Sequence, residues 1–221
     1  MRLRSLVLPV SATSPRDLIE RLVQLVAGLV LYGVSLGLMV RGGIGVAPWD
    51  VLALGVSGRT GIGYGLVTNL VAIVVLLLWI PLRQRVGIGT LLNALLIGPS
   101  ADLTLAVIPD PASPWIGAPM FVVGLVLLAF ATGLYIAADF GPGPRDGLMT
   151  GLVRRTGWPV WVVRTLIEGT VLVVGFVLGG PVGVGTVLFA FGVGPLIGWF
   201  LPGISRRRKA RSHARAAPVR P

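Results

Sequence analysis

Arg164 and Glu168 lie four residues apart in the run Pro159 to Leu178, which is otherwise almost wholly apolar. Residues at that spacing share one face of a helix, so the two can form an ion pair or face a common aqueous path. In an apolar medium an ionised side chain costs about 2.5–3.5 kcal/mol on insertion scales unless it is paired, protonated or wetted. Asn93 and Asp102 are the polar groups of a second apolar run, Ile88 to Ile108. These four residues are candidates for a solute or ion pathway. The structural alternatives are a simple ion pair for Arg164 and Glu168, and interhelical hydrogen bonding for Asn93.

Four more charged residues stand in matched motifs, Pro48-Trp-Asp50 followed by Arg59-Thr-Gly61, and Pro144-Arg-Asp146 followed by Arg155-Thr-Gly157. Proline opening and glycine closing each stretch predict two short helices. Asp50 and Asp146 then fall in a first turn, where a carboxylate meets the positive end of the dipole, or stand at the mouth of a path. Arg59 and Arg155 fall in a last turn, as partners for free carbonyls or for phosphate and anionic ligands. Gly45 and Gly141, just before the helices, predict turns that need φ > 0.

Other chemistries are closed. The chain has no cysteine and one histidine, His213, in its basic tail. No disulfide, thiolate, histidine metal site or Ser-His pair can be assembled, so neither an enzyme nor a metal or organic cofactor is expected. Gly87-Ile-Gly89 and Gly183-Val-Gly185 lack the preceding strand and following lysine of a phosphate loop.

The two short-helix motifs belong to a longer internal repeat. Adding 96 to each number lays Gly45-Val-Ala-Pro48 on Gly141-Pro-Gly-Pro144, Gly87-Ile-Gly89-Thr90 on Gly183-Val-Gly185-Thr186, and Gly98-Pro99 on Gly194-Pro195. Composition sets the medium: 54% of 221 residues are hydrophobic and 12% are charged, with a mean hydropathy of +0.89. That is too little charge to cover a soluble globule, and it predicts a membrane protein.

Spans are expected at Leu22 to Val40, Tyr64 to Leu82, Ile88 to Ile108, Trp115 to Ala138, Pro159 to Leu178 and Val182 to Leu201. The short helices, Pro48 to about Gly58 and Pro144 to about Thr156, are too short to cross and must lie in the interface or re-enter the bundle. The expected organisation is a cytoplasmic tail (1–17), membrane repeat 1 (18–108), linker (109–116), membrane repeat 2 (117–204) and a basic cytoplasmic tail (205–221). Three spans is an odd number, so the second copy should sit upside down relative to the first. The fold class expected is therefore an all-α membrane protein of six transmembrane helices in two inverted three-helix repeats, each with its short helix after the first span. Trp49, Trp79, Trp115, Trp158, Trp161 and Trp199 fall near span ends and suggest interfacial belts. Gly33-x-x-x-Gly37 and similar pairs suggest close helix contacts, within the bundle or in a homo-oligomer.

The formal charge of +11 gathers at the flanks, with Arg2, Arg4, Arg16 and Arg21 early and seven basic residues from Arg206 onward. With Arg83, Arg85, Arg145, Arg154 and Arg155, this bias favours both termini in the cytoplasm of a plasma-membrane protein. It suits anionic lipid headgroups rather than nucleic acid.

Gly45-Val-Ala-Pro-Trp-Asp-Val-Leu52, Ser57-Gly-Arg-Thr-Gly61, Trp79-Ile-Pro-Leu-Arg-Gln84 and Gly87-Ile-Gly-Thr-Leu-Leu-Asn-Ala-Leu-Leu-Ile-Gly-Pro99 resemble bacterial integral membrane proteins of the YczE/YyaS/YitT group, over about Leu22 to Pro202. The likeness is to the shorter YczE branch, and it implies a multi-span plasma-membrane protein without assigning an activity. Inverted repeats, short interrupted segments and a polar group near mid-span together point to a small secondary transporter or exporter working by alternating access. The alternative is an accessory or scaffold protein that assists another membrane system, which a small number of intramembrane polar groups would suit.

Overall fold

Most of the helices begin or end where the sequence provides a stop. The computed structural model describes residues 14–216 and, among these, holds eight helices and no strand. They are α1 (Pro15–Gly42), α2 (Pro48–Thr60), α3 (Tyr64–Leu82), α4 (Ile88–Val107), α5 (Pro114–Ala138), α6 (Pro144–Thr156), α7 (Val160–Val177) and α8 (Val184–Ala216). Proline occupies the first turn of α1, α2, α5 and α6, where its missing N–H costs no hydrogen bond. Glycine in the left-handed region closes α1, α2 and α6 at Gly43, Gly61 and Gly157. Gly45 and Gly141 adopt φ of 112° and 105°, as their place in the repeat requires.

All but α2 and α6 are long and apolar enough to cross a bilayer, which makes the chain a multi-pass membrane protein. Their outward faces carry Leu66, Ile73, Leu77, Val123, Val173 and Phe191, the surface expected of helices solvated by lipid.

Both tails differ from expectation. Helix α1 starts at Pro15, inside the stretch expected to be tail, because the Ser14 side chain accepts the Asp17 N–H at 3.2 Å and Asp17 pairs with Arg21 at 2.8 Å. Helix α8 continues past Leu201, where the sixth span was expected to end, to Ala216, so the basic stretch begins as helix. At 33 residues it is about 50 Å long, more than the roughly 30 Å hydrocarbon core can hold. The arginines expected at positions 2, 4 and 220 lie outside the described residues.

Glycines set the packing, and the order of contacts gives helix direction. Gly28 of α1 lies against Ala131 to Tyr135 of α5, Gly124 of α5 against Ser35 and Met39, and Gly42 against Gly117 and Phe121. As α1 numbers rise the α5 partners fall, so the equivalent helices α1 and α5 run antiparallel through the core of Leu25, Leu29, Leu36, Phe121 and Leu128. Outside this pair, α1 packs on α4 and α5 on α8, while α2 packs on α7 and α6 on α3. The short helix of each copy thus rests on the middle span of the other.

Individual bonds repeat the same exchange. The Gly89 N–H donates to Phe140 O at 2.9 Å, and 96 positions on, the Gly185 N–H donates to Ile44 O at 2.7 Å. Arg59 donates to Val177 O and Leu178 O, and Arg155 to Pro81 O, the counterpart of Val177.

Close packing makes a measurable prediction. A Cβ on Gly42 would meet Phe121 Cβ at 2.8 Å and Gly117 O at 2.9 Å, whereas one on Gly58 meets nothing within 4 Å. Gly42→Ala should lower stability by about 1–3 kcal/mol through overpacking. Gly58→Ala should raise it by about 0.5–1 kcal/mol through helix propensity. Thermal unfolding in detergent should show the two shifts with opposite sign.

Candidate functional site

Helices α2 and α6 meet at their N-terminal ends. The Arg145 guanidinium sits 5.1 Å from the centre of the Trp49 ring, the residue it replaces in the repeat, and its Nη2 lies 3.8 Å from Asp50 Oδ1. Around this meeting point is a cavity of about 150 Å³ to which every one of the eight helices contributes. Arg145, Asp146, Arg164 and Glu168 are its charged walls, Tyr32, Trp49, Tyr135 and Phe189 its aromatic walls, and Thr68, Asn69, Asn93 and Thr132 its neutral polar walls.

Of the pathway candidates, Glu168, Arg164 and Asn93 come together here. Arg164 Nε holds Glu168 Oε1 at 2.9 Å. Asp102 does not join them. Its Oδ1 accepts the Gly65 N–H at 2.7 Å, tying α4 to the start of α3. Asn69 adds to that seam by donating to Leu95 O and accepting from the Gly98 N–H. Both glycines let the two backbones approach, with no side chain between them.

The matched short-helix residues divide as well. Asp50 and Asp146 stand in the first turn, but neither helix has a side-chain cap. The carboxylates turn instead to tyrosine hydroxyls: Tyr64 donates to Asp50 Oδ1 at 3.0 Å and Tyr135 to Asp146 Oδ2 at 2.6 Å. Asp146 lines the cavity, whereas Asp50 is buried behind it. Arg59 and Arg155 serve helix C-termini, though those of α7 and α3 rather than of their own helices. They lie outside the cavity.

The interfacial-belt expectation is corrected for two tryptophans. Trp79 is 1% exposed and donates its indole N–H to Pro144 O at 3.0 Å, and Trp49 is buried under Arg145. Trp115, Trp158 and Trp161 are exposed at or just before helix starts, and Trp199 is exposed midway along α8.

Tyr32, Tyr135 and Arg145 are the site residues that sequence reasoning missed. The chain has three tyrosines, and all of them lie here: Tyr64 on Asp50, Tyr135 on Asp146, and Tyr32 edge-on to Tyr135 with ring centres 6.2 Å apart. A tyrosine inside an apolar run reads as part of the span. Arg145 had a visible signal, since it breaks the repeat at the position of Trp49.

Charge around the cavity does not balance. Arg145 faces Asp50 and Arg164 faces Glu168, while among the described residues no arginine or lysine nitrogen lies within 4 Å of Asp146. Three carboxylates stand against two guanidiniums, which leaves one negative charge when all three are ionised. The N-termini of α2 and α6 oppose it, but a helix end is worth about 0.3–1 kcal/mol to a neighbouring charge. Two unit charges at about 4 Å interact by about 4 kcal/mol at an effective dielectric near 20, so the formal charges dominate. Burial pushes the Asp50 carboxyl above the usual carboxylate range, against the pull of Arg145 and the Tyr64 hydrogen bond. Among the described residues, no set of three His, Cys, Asp or Glu side chains could hold a metal ion.

Residues 19–202 match a family described as a family of unknown function, DUF6198. The chain belongs to this family. It is 38% identical over 182 residues to an uncharacterized protein of Haemophilus influenzae, covering 82% of this chain and 84% of that one. It is 32% identical to the uncharacterized membrane protein YczE of Bacillus subtilis, covering 85% of this chain and 88% of that one. A third relative, the uncharacterized protein YyaS of Bacillus subtilis, is 28% identical over 81% of this chain and 91% of that one. No solved structure matches the chain. The two Bacillus subtilis relatives are the YczE and YyaS proteins of the resemblance stated above, and the DUF6198 match contains both short helices and every cavity residue.

The Asp50 and Arg145 contact joins the two copies and can be tested by a double-mutant cycle. Arg145→Gln leaves a carboxylate that is 2% exposed facing an uncharged side chain, so it should destabilise the protein. Adding Asp50→Asn should restore most of the loss. Thermal unfolding of the four proteins should give a coupling of about 0.5–3 kcal/mol.

Proposed function

We propose that this protein is a small secondary carrier of the plasma membrane, built as two inverted three-span repeats with both termini in the cytoplasm. The observation that carries the reading is the cavity, because it lies where the two copies meet, with Trp49 of the first short helix, Arg145 and Asp146 of the second, and Arg164 and Glu168 of α7 in its walls. A polar site between inverted repeats, built partly from interrupted helices, is the arrangement alternating-access carriers use.

Three further observations support it. The antiparallel packing of α1 on α5 and the exchanged bonds of α2 and α6 fit a twofold axis lying in the membrane plane. Their N-termini lie within an arginine side chain of each other, which requires re-entry into the bundle if the helices belong to opposite faces of a core about 30 Å thick. The two halves also differ in closure. Polar bonds bind α3 to α4, whereas α7 rests on α2 and α6 without broad contact to α8. Such inequality between equivalent seams fits a carrier caught open toward one side. The basic end of α8 would meet anionic headgroups on the cytoplasmic surface, at about 1 kcal/mol per residue near the membrane.

Two experiments test this. The chain lacks cysteine, so Gly58→Cys and Arg154→Cys, at equivalent exposed positions, give clean single labelling sites. An impermeant thiol reagent applied to intact cells should label Gly58→Cys and spare Arg154→Cys, and labelling of both from one face would end the inverted reading. In proteoliposomes the wild type should move a solute from a broad panel, and Glu168→Gln should lower that flux at least tenfold. Absence of flux for every solute would overturn the carrier reading.

A further inference from the structure

Beside the charged cavity runs a second, apolar space of about 580 Å³, between α3 and α7 and floored by α2 and α6. Its size is that of a pocket for a drug-sized molecule. It opens at the bundle surface, where Leu70 and Val74 of α3 and Leu166 of α7 are exposed. The two spaces adjoin, with Trp49 and Ile167 in the walls of both. One leads from lipid and is almost without polar groups; the other ends at charged side chains.

Within the charged cavity, Asp146 is the carboxylate left without a guanidinium. Tyr135 occupies its Oδ2 at 2.6 Å, and no hydrogen bond from a described residue reaches Oδ1. Gly143 keeps the space above it clear. A Cβ there would stand 3.2–3.4 Å from Asn93 Nδ2, Asp146 Oδ2 and the Tyr135 hydroxyl. A carboxylate held by one tyrosine hydroxyl, in a site where carboxylates outnumber guanidiniums, is suited to an ammonium group.

Resting on the carrier reading above, we propose that the substrate is an amphipathic organic monocation taken from the bilayer: its ammonium group binds at Asp146 beside Tyr135, and its apolar body lies in the groove between α3 and α7. The groove admits the chain sideways and Trp49 marks the passage from apolar to charged walls. An anionic amphiphile would set its charge beside Asp146, and a neutral one would leave the excess negative charge unmet.

The test compares three ten-carbon probes that differ in head group: decylammonium, decanoate and decanol. Binding is measured by calorimetry to the full chain in phosphatidylcholine nanodiscs, with empty nanodiscs as background. Decylammonium should bind at least tenfold more tightly than either of the others. Asp146→Asn should erase that preference, and Asp146→Glu should keep it. Shortening the probe to hexylammonium should weaken binding to the wild type, and Val74→Trp, which fills the groove, should flatten that chain-length dependence. Equal binding of the three heads, no binding of any, or an Asp146→Asn variant that binds decylammonium like the wild type would each overturn the proposal. Should Asp146→Asn fail to fold, the head-group comparison on the wild type decides alone. The outcomes are separable from those for transport: flux of another solute class without decylammonium preference refutes this assignment and leaves the carrier reading standing, and decylammonium preference without flux does the reverse.

Discussion

Where a chain stops being helical inside an apolar bundle, its N–H and C=O groups have no water to turn to and must be satisfied by protein. In this molecule each copy of the repeat satisfies the other. The break before α6 presents Phe140 O to the Gly89 N–H of α4, and the break before α2 presents Ile44 O to the Gly185 N–H of α8. The C-terminal carbonyls of α7 are met by Arg59 of the first copy, and a carbonyl near the end of α3 by Arg155 of the second. A single copy would leave its interrupted helices and its middle span with unmet polar groups, so duplication is part of what makes the short helices affordable.

The same exchange makes the cavity. Because α2 rests on α7 and α6 on α3, the two short helices are drawn across the bundle until their N-termini meet, and charged residues of the first turn come with them. Glycine permits this. Gly55 and Gly175 bring α2 onto α7 with backbone against backbone, and Gly147 accepts the Trp79 ring where any side chain would collide with it. The buried Asp50 is then tolerable only because Arg145 and Tyr64 reach it, and Arg145 is itself seated on Trp49.

Much of this architecture is legible in the sequence, because hydropathy and proline or glycine punctuation report the features that decide it. Tyr64–Leu82 and Pro144–Thr156 match expectation to the residue, since both are bounded by helix stops. Arg164, Glu168 and Asn93 stand out as polar groups in apolar runs, and the cavity does bring them together. Asp102 stands out in the same way yet faces the seam with α3, because composition says that a polar group must find a partner without saying on which helix face. Tyr32 and Tyr135 are hidden for the opposite reason, their rings being as acceptable to a span as leucine. Trp79 near a span end looks like a membrane anchor, and only the packing of α6 reveals that its indole N–H belongs to Pro144 O.

The repeat is most informative where it fails. Equivalent positions hold Thr68 and Ala72 against Arg164 and Glu168, Asn93 against Phe189, Asp102 against Gly198, and Trp49 against Arg145. In the first copy the polar substitutions tie α3 to α4, through Asn69 and Asp102. In the second they put charge into the cavity on α6 and α7 instead, and leave α7 without the corresponding bonds to α8. The two copies have therefore divided a task that a symmetric pair would share: one copy supplies a closed seam against which the other can carry the charges. A strictly symmetric pair would place two arginines, or two tryptophans, at the meeting of the short helices. The first choice would set like charges side by side in a low dielectric, and the second would leave Asp50, like Asp146, without a cation. Only the unequal pair, one arginine stacked on one tryptophan, lets both short helices keep their carboxylates while carboxylates around the cavity outnumber guanidiniums by one.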